Sequence, residues 1–239
     1  MCLPEPPKWK EDAITKFIGD VQHNAYVTFV KYSTEFSRLI EVDSLFREAI
    51  GCTNNAKFWF ACLFPLKAHS AFLSAVQLIM GTQAQESYMV MRGTIENALY
   101  GYYIFKHKEL AEVYLKRDEN LQTKREMKKR FQNKAIIEEL KADEMSLGSA
   151  VEILYERVID FGAHPNEKSL SSALKRTDLK DGVRFDVSYL TDNPKVIELG
   201  LKTVTQVGIA CVKIIELQFP ERFKIVGLSD KIQSISRFF

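Results

Sequence analysis

Two arginines in this chain stand where they could hold an anion or a developing negative charge. Arg92 precedes Glu96 by one helical turn inside the strongly apolar stretch 83–105. A charged pair in such a stretch either fixes the register of a packed helix or lines a pocket, where it binds an anion or positions a reacting group. Arginine before glutamate is the weaker order for an exposed pair, so each side chain is expected to have a tertiary role. Arg157 stands seven residues before His164. On a continuous helix that spacing is nearly two turns, which puts both side chains on one face roughly 10 Å apart. Plainer partners also exist. Glu152, Glu156 or Asp160 could pair with Arg157, and His164 could close a helix C-terminus, where a cation is favourable. Lys124, Arg125, Lys128, Lys129 and Arg130 belong to a basic run over 116–134. Such a run can neutralise phosphates, or it can be a solvated helix face with acids interspersed. Only Phe131 interleaves with it, which gives little support to base stacking.

Other chemistry is not signalled. The chain has no phosphate-cradling glycine loop, no dinucleotide fingerprint, no HExxH, no GxSxG and no EF-hand loop. His23, His69, His107 and His164 are far apart and form no ligand pair. No metal site and no cofactor is expected. Cys2, Cys52, Cys62 and Cys211 make no CxxC. Cys62 and Cys211 fall in apolar helical runs, where a reduced cysteine is a small hydrophobe, so a reducing, cytoplasmic location is expected. MCLPEPPKWK lacks the apolar core of a secretory signal. The apolar runs near 58–66 and 68–80 are interrupted by Pro65, Lys67, His69 and Gln77 and fall short of the roughly 18 residues a membrane helix needs.

The segment Tyr155-Glu156-Arg157-Val158-Ile159-Asp160-Phe161-Gly162-Ala163-His164 resembles the Arg-x(4–6)-His signature of the HEPN superfamily. That superfamily comprises all-helical bacterial and archaeal domains, among them metal-independent ribonucleases of toxin–antitoxin and phage-defence systems. The resemblance implies that His164 exchanges a proton with the RNA 2′-hydroxyl or the leaving oxygen, that Arg157 stabilises charge on the phosphate, and that two copies face each other across a homodimer. Six intervening residues is the upper limit of the pattern, and Val158 stands where the family often has a polar residue. Over about 55–215, Arg92-x3-Glu96 with the following tyrosines, Lys108-Glu109-Leu110-Ala111-Glu112 and His164-Pro165-Asn166 also look like a group of bacterial helical proteins with no settled activity. That likeness bears on the fold and leaves function open.

The elements that must position these residues are helices. Eleven glycines and seven prolines, several of them at the N-terminus, are few for 239 residues. Residues 1–9 read as a Pro-rich flexible tail, and 10–239 as a single helical-bundle domain. Apolar spacings of three and four predict a long helix over about 10–41, a short one ending at Gly51, and a third from about Ala56 that Pro65 kinks. The central helix 83–105 follows a break at Gly81-Thr82. A helix from about Glu109 to Leu140 bends near Asn120, and Ser149 caps another that Gly162 and Pro165 end. Ser171–Leu174 and Val183–Tyr189 read as strands about an Asp181-Gly182 turn. Asn193-Pro194 starts the last long helix, which Pro220 closes, and 229–238 reads as a short one.

The expected architecture is therefore mostly α, a bundle of about seven to nine helices with a small β-hairpin near 171–189. A composition of 46% hydrophobic and 27% charged residues suits a globular domain, and a net charge of +2 does not suit a protein that coats nucleic acid. Two functions stay open. One is an interaction or small-ligand module with Arg92 and Glu96 in its polar core or pocket. The other is the metal-independent ribonuclease, with RNA contacts from the basic run. No membrane association is expected.

Overall fold

A computed structural model describes residues 6–163 and 174–236. The chain is mostly α-helical with one small antiparallel hairpin. Its helices are α1 (Ala13–Lys31), α2 (Ser33–Gly51), α3 (Leu63–Met80), α4 (Ala84–Lys106), α5 (Leu110–Leu115), α6 (Leu121–Arg130), α7 (Asn133–Asp143) and α8 (Met145–Val158). A π-helical turn over Ile159–Ala163 continues α8. After the hairpin β1 (Leu174–Leu179) and β2 (Gly182–Val187) come α9 (Pro194–Glu216), α10 (Pro220–Ile225) and α11 (Leu228–Ser236).

The apolar stretch around Arg92 is the centre of the bundle. Between Ala84 and Phe105 only Met89 is exposed, because α4 packs against α3, α9, α8, α7 and the π turn at once. A helix that is apolar on most sides is stable only when so surrounded. The second interior helix is α9, which touches α4, α2, α3 and α8. Gly208 lets α9 approach closely, since a Cβ there would lie 2.4 Å from Val42 Cγ1 and 2.8 Å from Phe72 Cε2. At its C-terminal end α4 is tied to α7 by Lys106, which reaches Asp143 at 2.7 Å and Glu139 at 3.0 Å. Tyr102 also donates to Asp143 Oδ2.

Several boundaries differ from the sequence expectation. The predicted helix over 10–41 breaks at Tyr32, whose backbone leaves the helical region (φ −118°, ψ 44°) while its ring stays buried, and α2 then runs unbroken to Gly51. No glycine or proline marks that break. Residues 6–9, expected as an extended tail, form a turn closed by Trp9 N–H to Pro6 O at 3.1 Å. Pro65 sits in the first turn of α3, where its missing N–H breaks no helical bond, so it starts the helix instead of kinking it. The predicted helix 109–140 is three helices. Asn120 caps α6 in a reciprocal arrangement with Thr123 and does not bend a continuous helix. Ser149 lies inside α8. Pro220 opens α10. The hairpin pairs Leu179 with Gly182, so its two-residue loop is Lys180-Asp181, one residue earlier than the expected turn, and Gly182 takes φ +156°. Of the first predicted strand, 171–173 lies outside the described residues.

α3 is long and apolar enough, by length and composition, to cross a membrane. This corrects the reading that no run reaches that length. Its inward residues, Phe64, Ala68, Phe72, Ala75 and Ile79, are buried in the bundle, while Lys67, Ser70, Ser74 and Gln77 are exposed.

Candidate functional site

Glu96 is the hub of a polar cluster between α4, α7 and α8. Arg92 Nε donates to Glu96 Oε1 at 2.8 Å. The same oxygen accepts from Tyr155 Oη at 2.8 Å and from Asn133 Nδ2 at 2.9 Å. Asn133 Nδ2 also lies 2.7 Å from Tyr155 Oη. The Arg92 guanidinium carbon stands 5.8 Å from the centre of the Tyr155 ring. So the pair named from sequence does form, and each member has the tertiary partner that its order suggested. Asn133 sits here because α7 begins at it, and Tyr155 because its place in α8 faces α4.

The cluster is inside the protein without being sealed. Arg92 and Glu96 side chains are 31% and 26% exposed. Burial, then the Glu96 carboxylate, pushes the Tyr155 hydroxyl up to about 12. Burial works to lower the Arg92 pKa, but the hydrogen bond and charge of Glu96 outweigh it and raise it. Arg92 therefore stays charged and Tyr155 stays a neutral donor at neutral pH, and their bonds to Glu96 clasp α4 and α8 together. The consequence is a stability loss at high pH. Tyr155 ionises near 10 in the unfolded chain but near 12 in the folded one, so its contribution is complete below pH 10 and is lost as pH rises through 12. Two units correspond to about 2–3 kcal/mol. Denaturant melts from pH 8 to 12 should show this decline on top of that from Tyr100, which is also pushed up to about 12, and Tyr155→Phe should make it shallower. A slope unchanged in the variant would remove Tyr155 from the account.

Arg157 is on another side of α8. It lies two residues beyond Tyr155, roughly 200° further around the helix. Its Nη1 donates to Gln206 Oε1 at 2.8 Å and reaches Thr203 Oγ1 at 3.5 Å, both on α9. None of Glu152, Glu156 and Asp160 pairs with it. Among the described residues this half-buried guanidinium thus has neutral hydrogen-bond partners only. It borders a groove of about 600 Å³ between α8 and α9, walled by Leu147, Ile153, Leu154, Ile209, Ala210 and Leu217. Lys213, one further half-buried cation without an ion pair among the described residues, lines the same groove. Glu144 and Glu216 also line the groove, and Glu216 accepts a hydrogen bond from Ser229.

His164 lies outside the described residues. The helix that was to carry both residues on one face changes at Ile159 into a π-helical turn, so α-helical phase does not continue from Arg157 to Ala163. Gly162 is needed there for a reason other than ending the helix. A Cβ would lie 2.3 Å from the Gln85 carbonyl oxygen, and this close approach seats Phe161 on the Tyr88 ring, 5.6 Å between centres.

Lys124, Arg125, Lys128, Lys129 and Arg130 all lie exposed on α6, which buries only Met127. None of the five forms an ion pair among the described residues. Arg125, Lys129 and Arg130 border one shallow hollow with Gln122 and Glu126. Among the described residues, no three His, Cys, Asp or Glu side chains converge as a metal ion would require. Cys52, Cys62 and Cys211 are buried free thiols. Burial alone raises the Cys211 thiol far above its usual range.

The structure therefore brings Arg92 and Glu96 together with Asn133 and Tyr155, and places Arg157 apart from them. Tyr155 could have been found in the sequence as a hydroxyl on the apolar face of its helix, where it must find a partner. Gln206 and Thr203 carried no such signal. No family model matches the chain, and neither a curated protein nor a solved structure matches it.

Proposed function

We propose that this protein is a small-ligand-binding module whose site is the groove between α8 and α9, with Arg157 as its anion anchor. The observation that carries this reading is a half-buried guanidinium bonded, among the described residues, to Gln206 and Thr203 alone, at the edge of an apolar groove. A half-buried cation is favoured by a counter-charge, and among the described residues none lies at hydrogen-bond distance from Arg157. A volume of about 600 Å³ is within the range of small-molecule sites. The ligand class that fits is an amphipathic anion, with its apolar chain along Ile153, Leu154 and Ile209 and its charged head on Arg157. The buried free thiols support a reducing compartment such as the cytoplasm for this module.

Calorimetry with decanoate and dodecyl phosphate tests it, with decanol as the neutral control. Both anions should bind and decanol should bind far more weakly. Arg157→Gln should cost roughly ten- to a hundredfold in affinity, the worth of a hydrogen-bonded charge. Absence of binding, or equal affinity in the variant, would sink the proposal.

The metal-independent ribonuclease is the second reading. What favours it is α6, with five exposed cations that form no ion pair among the described residues, together with Arg157, whose hydrogen-bond partners among them are neutral. RNA cleavage in EDTA by the wild type, abolished by His164→Ala, would replace the ligand-binding proposal. Activity that is equal in both proteins would dismiss it.

A further inference from the structure

The β1–β2 hairpin carries an apolar face and a free edge, and both have the features of a contact between identical chains. Its register puts Leu174 beside Val187 and Asp178 beside Val183, with Phe185 between the two valines on β2. Val183, Phe185 and Val187 thus share one face, and they are 45%, 62% and 55% exposed. Thr177 and Arg184 occupy the other face. Among the described residues β2 bonds to β1 and to no other strand. A two-stranded hairpin with both faces in water is marginal by itself, and an unprotected edge is a template for another strand.

The sequence of β2 specifies which strand. Val183-Arg184-Phe185-Asp186-Val187 reads the same from either end in chemical terms: apolar, charged, aromatic, oppositely charged, apolar. We propose that the outer edges of two β2 strands pair antiparallel about a two-fold axis through Phe185, making a four-stranded sheet across two copies of this chain. In that register Phe185 lies beside the partner's Phe185 and Val183 beside the partner's Val187. Arg184 lies beside the partner's Asp186, and Asp186 beside the partner's Arg184. Directly opposed residues in an antiparallel pair interact most strongly, and a two-fold contact must be self-complementary. Moving the axis by one residue would set Arg184 on Arg184, or Asp186 on Asp186, so charge selects the register. Within each chain Arg184 already holds Asp186 at 2.8 Å, which keeps both groups aligned along the strand.

Other occupants fit less well. Over 174–187 the chain has Lys175, Arg176, Lys180 and Arg184 against Asp178, Asp181 and Asp186. This nearly balanced set offers no field of one sign for nucleic acid or an anionic membrane. The apolar surface continues onto α1, where Phe17 meets Tyr189 edge-on at 6.5 Å and Ile14 and Ile18 are exposed.

Sedimentation velocity of the full chain tests the proposal. The wild type should dimerise at micromolar concentrations. Asp186→Arg and Arg184→Asp should each be weakened roughly a hundredfold or more, since each sets two like-charged pairs across the axis. An equimolar mixture of the two variants should recover the dimer, because their charges complement one another. Circular dichroism should show the helical bundle intact in both, and Phe185→Glu should also be monomeric. A monomeric wild type overturns the proposal, and so does a wild type that instead floats with neutral vesicles. Single variants that still dimerise would place the contact elsewhere. A mixture that stays monomeric would exclude this register.

Discussion

Phe72→Ala should lower the unfolding free energy by about 3–5 kcal/mol in guanidinium melts, with the denaturant slope unchanged. Phe72 is 1% exposed and stands 5.2 Å from the Phe46 ring, centre to centre. It fills the space between α2, α3 and α9, and α9 reaches it through Gly208. Removing the ring leaves a cavity among close-packed helices that can collapse only in part. Gly208→Ala fails in the opposite way. Its new methyl would meet Val42 Cγ1 at 2.4 Å and Phe72 Cε2 at 2.8 Å, so overpacking should cost about 1–3 kcal/mol. The two changes are coupled. In the Phe72→Ala background the alanine at 208 has room on one side, so the double variant should be less destabilised than the sum of the singles. Strict additivity would mean that α9 does not rest on Phe72.

Glu96→Ala should cost about 2–4 kcal/mol, the largest loss expected from one polar residue. One carboxylate oxygen accepts from Arg92, Tyr155 and Asn133, so its removal takes the acceptor from Arg92 and Tyr155 and leaves Asn133 bonded to Tyr155 alone, across the junction of α4, α7 and α8. The pair is about three-quarters buried, which keeps solvent from making up the whole loss but does limit it. Arg92→Met with Glu96→Met removes both charges and keeps apolar volume. That double variant should be more stable than Glu96→Ala, because no uncompensated guanidinium is left. Urea melts of the wild type, Glu96→Ala and the double variant measure this. A Glu96→Ala protein within 0.5 kcal/mol of wild type, about the ordinary effect of a surface change, would show that the cluster is not a clasp.

The helical architecture could be read from the sequence wherever a local rule had no competitor. Asn193-Pro194 begins α9 with a capping side chain and a proline suited to the first turn, and the Asn193 side chain does accept from Lys195 N–H. Arg92 and Glu96, one turn apart, meet as their spacing allows. The break that escaped depends on tertiary packing. Tyr32 ends α1 without a breaker residue, its ring drawn into the core. The break expected at Gly81-Thr82 is present, but its positive φ of +64° falls on the threonine and not on Gly81, where a Cβ would meet Val21 at 2.6 Å. The glycine is spent on a helix contact, so the residue beside it takes the strained backbone.

The candidate site was legible only as single residues. Arg157 stood out by type and spacing, but its neighbours Gln206 and Thr203 lie some fifty residues further along the chain. Tyr155 looked like a core residue because its ring is one; its hydroxyl has a separate task. The hairpin was legible in kind and displaced in register, since Asp181-Gly182 is a strong turn signal while pairing places the loop at Lys180-Asp181.

The placement of α9 also bears on synthesis. The helix that fills the space between α2, α3, α4 and α8 ends at Glu216, more than a hundred residues after α4 is complete. Translation needs on the order of ten seconds to cover that distance. Throughout it, Val42, Phe72 and Ile79 lack the helix that finally packs on them. The nascent chain on the ribosome is thus the form of this protein most open to aggregation and to capture by chaperones.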